Sequence, residues 1–269
     1  MCTDGACEPG RPLLLTYVTH GHMLSIQNRI LLFASKYLPL PQKMKWRIGL
    51  TDEIAFWEGF IASNYAPVNG TPPTVEGRTR CDPGSPLSDE LKALVAHINS
   101  PVIRILDVGC GPLTRVGKTM EGKRIELFCV DPLAEVYTEL CRKHRVPVPV
   151  PVQKGEAETL GELFGSESFD LIHANNCLDH AYDPVRAIQL IVDLLRPGCS
   201  LYLRHEMNVA ETAGYMGLHQ WNFRTENGDM VIAGRGKGVN MNELFKGKAT
   251  IRSHVEGKFL VNIITRNPA

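Results

Sequence analysis

Residues 102–112 read VIRILDVGCGP: an apolar strand that ends in Asp107, followed by Gly109 and Gly111 one residue apart. Glycines in such a turn let backbone N–H groups approach a ligand closely and let the chain take positive φ. Asp131 closes the next apolar run, IELFCVD, 24 residues after Asp107. A carboxylate there can accept both hydroxyl hydrogens of a ribose, and the two features together indicate an adenosine-bearing cofactor. Asp107 suits a positively charged part of that ligand, such as an amino-acid ammonium. A dinucleotide site wants G-x-G-x-x-G, whereas GCGPLTRVG puts a proline after the second glycine and brings the next glycine too late. The acidic residue ahead of the first glycine would also repel a pyrophosphate.

These motifs resemble those of the class I S-adenosylmethionine (SAM) dependent methyltransferases. ILDVGCGP is similar to the family's first motif and VDP (130–132) to the acidic end of its second strand. GEAETL (155–160) is similar to its adenine-side segment, and SFDLIHANNCLDHAYDP and LLRPGCSLYL to its fourth strand and its helix-to-fifth-strand turn. The resemblance spans about residues 102–205, with one departure at Cys199, where the family usually carries a second glycine. It implies that Asp107, Gly109 and Gly111, with Cys110 in the same turn, hold the methionine half of SAM. Asp131, followed by Pro132, would take the ribose hydroxyls. Glu156 and Ala157 would lie by the adenine, and Asn175 would face the methionine half or the sulfonium. The expected product is S-adenosylhomocysteine (SAH).

Three histidines are placed for work on an acceptor. His180 follows the fourth strand, His205 ends the fifth and is expected to point at the acceptor pocket, and His219 lies on an insertion beside Trp221. An imidazole titrates near neutrality, so His205 or His219 suits a general base, while the resemblance implies that a His at the position of His180 contacts the cofactor or caps the next helix. Each can equally hydrogen-bond loop backbone. His205, Glu206 and His219 match no metal-binding spacing, and no metal centre is expected. Asp179 and His180 are neighbours in sequence, and adjacent side chains seldom face each other.

The elements that must position these groups follow from spacing. Strands and helices alternate from residue 102, which implies a parallel sheet covered on both faces. Asn227-Gly228 within WNFRTENGDMVIAG marks an inserted β-hairpin, and KATIRSHVEGKFLVNIITR forms another, turning at Glu256-Gly257. The fold class is therefore α/β: a Rossmann-like mixed seven-stranded sheet with an antiparallel C-terminal hairpin. Residues 1–12 read as a flexible leader, 13–100 as an N-terminal helical lid and 101–269 as the SAM-binding domain. In the lid, helices are expected at 25–38 (capped by Ser25), from Thr51 onward, and from Ser88. Residues 65–86, rich in proline and glycine, are expected to be an irregular loop. A short helix is expected at 113–121 and a polar one over EAETLGELF. In FWEGF (56–60) the aromatics read as core, and Tyr17, His20 and His22 lie ahead of the first helix.

Composition narrows the partners. Lys+Arg and Asp+Glu both number 29, so no net field draws in a polyanion, and nucleic acid is not expected. The eight cysteines never form C-x-x-C, a usage that fits reduced thiols in a cytoplasmic protein. No apolar run reaches membrane-spanning length, and no membrane partner is expected. The expected activity is methyl transfer to an oxygen or nitrogen of a small-molecule acceptor, a natural-product intermediate or a sugar, by a chain that can form a homodimer. The competing reading is a partner or sensor that binds SAM or SAH without catalysis. A nucleotide-dependent oxidoreductase is disfavoured by the glycine spacing.

Overall fold

The computed structural model describes Ile30, Phe33 and residues 35–67 and 72–268. The leader, most of the expected helix at 25–38, and Tyr17, His20 and His22 lie outside the described residues.

The central strand, β1 (Val102–Val108), is parallel to β2 (Arg124–Asp131) on one side and β4 (Phe169–Asn175) on the other. The full order is β3-β2-β1-β4-β5-β10-β9, with β3 (Val152–Lys154) at one edge. β5 (Leu195–Glu206) continues the parallel set. β9 (Ala249–Glu256) and β10 (Phe259–Arg266) form the antiparallel hairpin, whose turn is Gly257-Lys258, one residue later than expected. Winding runs outward from β1 through β2 to β3 and reverses at β4. The carboxyl ends of β1 and β4 thus flank the switch point where open α/β sheets bind ligands.

Helices cover both faces. On one, Ala187, Ile188, Ile191 and Val192 of Pro184–Leu194 are buried at helical spacing. That helix starts where Asp183 accepts from Arg186 N at 3.0 Å, with Pro184 preset in the first turn. On the other, Leu91 and Val95 of Asp89–Val95 pack on Ile103, Ile105 and Leu171, and Ser88 caps this helix as expected. The inserted hairpin of β6 (Asn222–Glu226) and β7 (Asp229–Ala233) forms at Asn227-Gly228, both at positive φ, and gains a third short strand, β8 (Val239–Asn240).

Four local expectations are corrected. The helix expected from Thr51 is one continuous element, Gln42–Phe60, because the Thr51 hydroxyl donates to Ile48 O at 2.8 Å instead of capping. The loop 65–86 contains a helix, Val75–Cys81, capped by Thr74. EAETLGELF forms a 3₁₀ helix, Ala157–Glu162, interrupted at Thr159. Residues 113–121 form no helix. There the backbone bonds sideways to residues 85–87: Lys118 N donates to Ser85 O at 2.7 Å, and Leu87 N to Thr119 O at 2.9 Å.

A Cβ on Gly117 would sit 2.1 Å from Pro86 O, so those two loops touch backbone to backbone. Gly117→Ala should therefore destabilise the fold by roughly 2 kcal/mol, lowering the thermal midpoint by about 4–8 °C. Gly161→Ala, which has open space around it, should move the midpoint little. Equal midpoints would contradict the close packing. Among the described residues, no helix is long and apolar enough to cross a membrane.

Candidate functional site

One cleft opens at the carboxyl ends of β1, β2 and β4. Asp107, Gly109, Cys110, Asp131, Pro132, Glu156, Ala157, Asn175 and His180 all line it. Gly111 sits at its edge under Trp57, where a Cβ would come within 3.0 Å of the indole. Gly109 and Gly111 have φ of +62° and +65°. A Cβ on Gly109 would lie 2.5 Å from that of Cys177, so this turn admits only glycine.

Asp107 is 2% exposed, and both its oxygens are engaged. Oδ1 lies 2.7 Å from His173 Nδ1 and Oδ2 accepts from Thr114 Oγ1 at 2.6 Å. Asp131 accepts from Gly111 N at 3.1 Å and from Leu133 N at 2.9 Å. These bonds aim its carboxylate but do not exhaust its four lone-pair positions. Burial pushes its carboxyl up to about 7, against the two backbone donors that favour the charged form. Cys110 is buried, and its thiol donates to Gly111 O at 3.2 Å. Burial also holds that thiol protonated, well above its ordinary range.

At the other end of the cleft, Glu156 Oε2 accepts from Lys43 Nζ at 2.7 Å and from Tyr182 Oη at 3.0 Å. The next carboxylate, Glu158, is buried and accepts from Asp183 N at 2.9 Å. Helix Gln42–Phe60 runs over the cleft and contributes Trp46, Leu50, Glu53 and Trp57. It lies so close to the 214–220 segment that a Cβ on Gly49 would meet Leu218 Cδ2 at 2.6 Å.

The three histidines part company. His205 does not reach the cleft, which corrects the expectation that it points at an acceptor. It is fully buried against Phe223, with ring centroids 4.2 Å apart, and its Nε2 accepts from Leu178 N at 2.9 Å and Cys177 N at 3.3 Å. Burial lowers its imidazole to about 4, so it stays neutral as a backbone cap for the turn after β4. His180 and His219 come together instead, with Nε2 and Nδ1 3.1 Å apart. Asp179 Oδ2 lies 3.3 Å from His180 Nε2 and 3.1 Å from His219 Nδ1. Adjacent Asp179 and His180 do face each other here, because 178–180 is a tight 3₁₀ turn. Burial pushes the Asp179 carboxyl up, but the two imidazoles outweigh it and hold the group below the carboxylate range. Burial alone would lower His219, yet its bond to Asp179 raises it above the usual histidine value.

Sequence reasoning missed the groups that come from distant segments. Thr114, His173, Arg80, Trp46 and Glu53 have no motif of their own. The one signal for Trp57 was FWEGF, read as core: its Nε1 donates to Glu53 Oε1 at 2.7 Å above the glycine turn.

The residues also fit the cofactor their motifs imply. Asn175 Oδ1 is buried without a hydrogen-bond partner, an acceptor suited to an ammonium. Arg80 lines the cleft beside the glycine turn, where its guanidinium donates to Leu113 O at 2.8 Å. Its Nε–H is buried and unpartnered, a donor suited to a carboxylate. The aminoacyl end of SAM carries both charges.

Residues 106–203 match the family model of a methyltransferase domain. The mitochondrial ubiquinone biosynthesis O-methyltransferase of Rattus norvegicus is 31% identical over 137 residues, 46% of this chain and 33% of its own. The ubiquinone biosynthesis O-methyltransferase of Xanthomonas campestris pv. campestris (strain B100) is 29% identical over 115 residues, 42% of this chain and 47% of its own. The chain thus spans a third to a half of the length of these relatives. Among solved structures, a SAM-dependent methyltransferase from Methanosarcina mazei is 16% identical with a TM-score of 0.41, covering 68% of this chain and all of that one. The Burkholderia thailandensis 1,6-didemethyltoxoflavin-N1-methyltransferase, bound to SAH, is 18% identical with a TM-score of 0.37, covering 65% of this chain and 75% of its own. Residues 106–203 thus carry a methyltransferase domain, and the matches support the class I SAM-dependent type for that domain.

Asp131 sets a pH dependence on cofactor binding. Ribose hydroxyls held at Asp131 would donate to the ionised carboxylate, whose fraction grows as pH rises through about 7. SAH should therefore bind roughly tenfold more tightly at pH 8 than at pH 6. Asp131→Asn should weaken binding at pH 8 and flatten the profile, both measurable by titration calorimetry. A profile unchanged in the variant would remove Asp131 from the ribose site.

Proposed function

We propose that the protein transfers the methyl group of SAM to an oxygen or nitrogen of a small-molecule acceptor bound under helix Gln42–Phe60. The observation that carries this reading is one shared cleft. Its floor is the glycine turn with Asp107, Asp131 and Asn175, and its wall holds His180, beside Asp179 and His219. The similarity to ubiquinone biosynthesis O-methyltransferases favours oxygen as the atom methylated. Equal numbers of acidic and basic residues favour a small acceptor over a nucleic acid.

SAM, when bound, would supply a methyl activated by its sulfonium: the acceptor's lone pair would form the new bond to that carbon and the C–S pair would return to sulfur. Asn175 Oδ1 and Arg80 Nε would hold the aminoacyl end, and Asp131 the ribose. Trp46, Leu50 and Trp57 shield the cleft from water. An acceptor O–H or N–H turned toward the histidine cluster loses its proton there, and Asp179 stabilises the positive charge that appears. The helix from 42 to 60 acts as the cover, tied down through Lys43 to Glu156 and Tyr182.

The test is a panel of phenols, catechols, hydroxyacids and amines assayed for SAH release. At least one hydroxyl compound should turn over. His219→Gln should lower kcat by about a hundredfold or more while SAH affinity stays within twofold. SAH binding with no turnover of any acceptor would favour a binding protein that does no chemistry.

A further inference from the structure

We propose that Asp179, His180 and His219 form a binding site for one divalent transition-metal ion at the acceptor end of the cleft. The three facing atoms, His180 Nε2, His219 Nδ1 and Asp179 Oδ2, make a triangle with sides of 3.1, 3.1 and 3.3 Å. Ligands about 2.1 Å from one ion stand about 2.9–3.4 Å apart when they subtend roughly 90–110° at it, so this triangle has the size of one face of a coordination polyhedron. The group is the one His/Asp cluster of suitable spacing among the described residues.

Hydrogen bonding by itself leaves that triangle in conflict. An imidazole nitrogen either carries a proton or presents a lone pair, and a carboxylate oxygen only accepts. With both nitrogens protonated, two N–H groups point at each other along the histidine–histidine edge. With one protonated, the other nitrogen turns its lone pair toward the carboxylate. With the carboxylate ionised, every protonation state of the two imidazoles therefore sets like against like on one edge, whereas a cation among the three atoms makes all of them attractive.

Two further observations point the same way. Asp179 is 1% exposed, and its Oδ1 is buried with no hydrogen-bond partner. The carboxylate thus keeps unused acceptor capacity where an unpaired charge is expensive. Behind His180, Glu53 Oε2 lies 3.7 Å from the remote ring nitrogen, beyond hydrogen-bond distance but on the side from which an outer carboxylate orients a metal-bound imidazole. Two imidazoles and one carboxylate suit Zn²⁺, Mn²⁺, Fe²⁺ or Co²⁺, whereas Mg²⁺ and Ca²⁺ prefer all-oxygen shells. Three protein ligands on one face leave the remaining positions open, and one of the three, His180, lines the cleft. With a cation bound, the imidazoles would be its ligands and an acceptor would be held through an oxygen atom whose proton the metal makes easier to lose; in the metal-free protein the imidazoles are free to take that proton. This use rests on the methyltransferase reading; the existence of the site does not.

Co²⁺ titration of chelator-treated, full-length protein tests the site without an activity assay. The expected result is one equivalent bound with visible d–d bands and no thiolate charge-transfer band. His219→Gln and His180→Gln should each weaken binding at least tenfold, and His254→Gln, on the surface of β9, should not. Thermal unfolding confirms that the variants are folded, and His219, with a side chain 39% exposed, is the safer substitution. No saturable binding by the folded wild type, or binding that survives both substitutions, would overturn the site. SAH titration of the same samples reads the cofactor site separately: lost SAH binding with Co²⁺ retained would sink the methyltransferase reading alone.

Discussion

Asp107 is a carboxylate at the end of the middle strand of the sheet, almost wholly removed from water. A buried carboxylate persists only where its oxygens find donors, and the donors here come from two directions. His173 reaches across from β4, and Thr114 comes from the loop after the glycine turn. In meeting one electrostatic need, the chain joins the strand that carries the turn to the strand that carries Asn175. The same demand shapes the loop. Thr114 serves Asp107 and also accepts from Val116 N, and residues 118 and 119 bond to the 85–87 segment, so the stretch does not wind into a helix.

A second constraint acts from above. Helix Gln42–Phe60 has little to do with the sheet's own hydrogen bonding, yet it sits where the cleft needs a roof. Its approach is set by two glycines on opposite sides: Gly49 lets it close onto Leu218, and Gly111 leaves room for the Trp57 indole. Apolar contact and polar anchoring cooperate, since Lys43 reaches Glu156 and Trp57 holds Glu53 in position behind His180. Residues distant in sequence thus converge on a cavity that no single segment contains.

The turn after β4 shows how a buried histidine can matter without touching a ligand. His205 Nε2 accepts the backbone N–H groups of Cys177 and Leu178, groups that begin the 3₁₀ turn and would otherwise be orphaned. Fixing that turn brings Asp179 and His180 side by side and offers them to His219 from the insertion. The residue expected to do chemistry supports the residues that stand at the cleft.

Hydrophobic periodicity and turn chemistry made much legible in the sequence by itself. The strands at 102–108, 124–131 and 169–175, the helix at 184–194, the Asn227-Gly228 hairpin and the two acidic strand ends with their glycines all depend on local rules. These rules act over a few residues: near-continuous apolar runs for strands buried on both faces, capping residues for helices, positive φ for glycine. Where several local options competed, the tertiary structure decided. Thr51 could cap or bond back to Ile48 O, 113–121 could wind or pair with residues 85–87, and His205 could face a cavity or a backbone turn. Arg80, Trp57, Thr114 and His219 gained their places in the same way, because each depends on a partner at least twenty residues away or in a different element. Spacing along the chain carries no information about such meetings. They are set by how the layers pack and by which buried polar groups still need a partner.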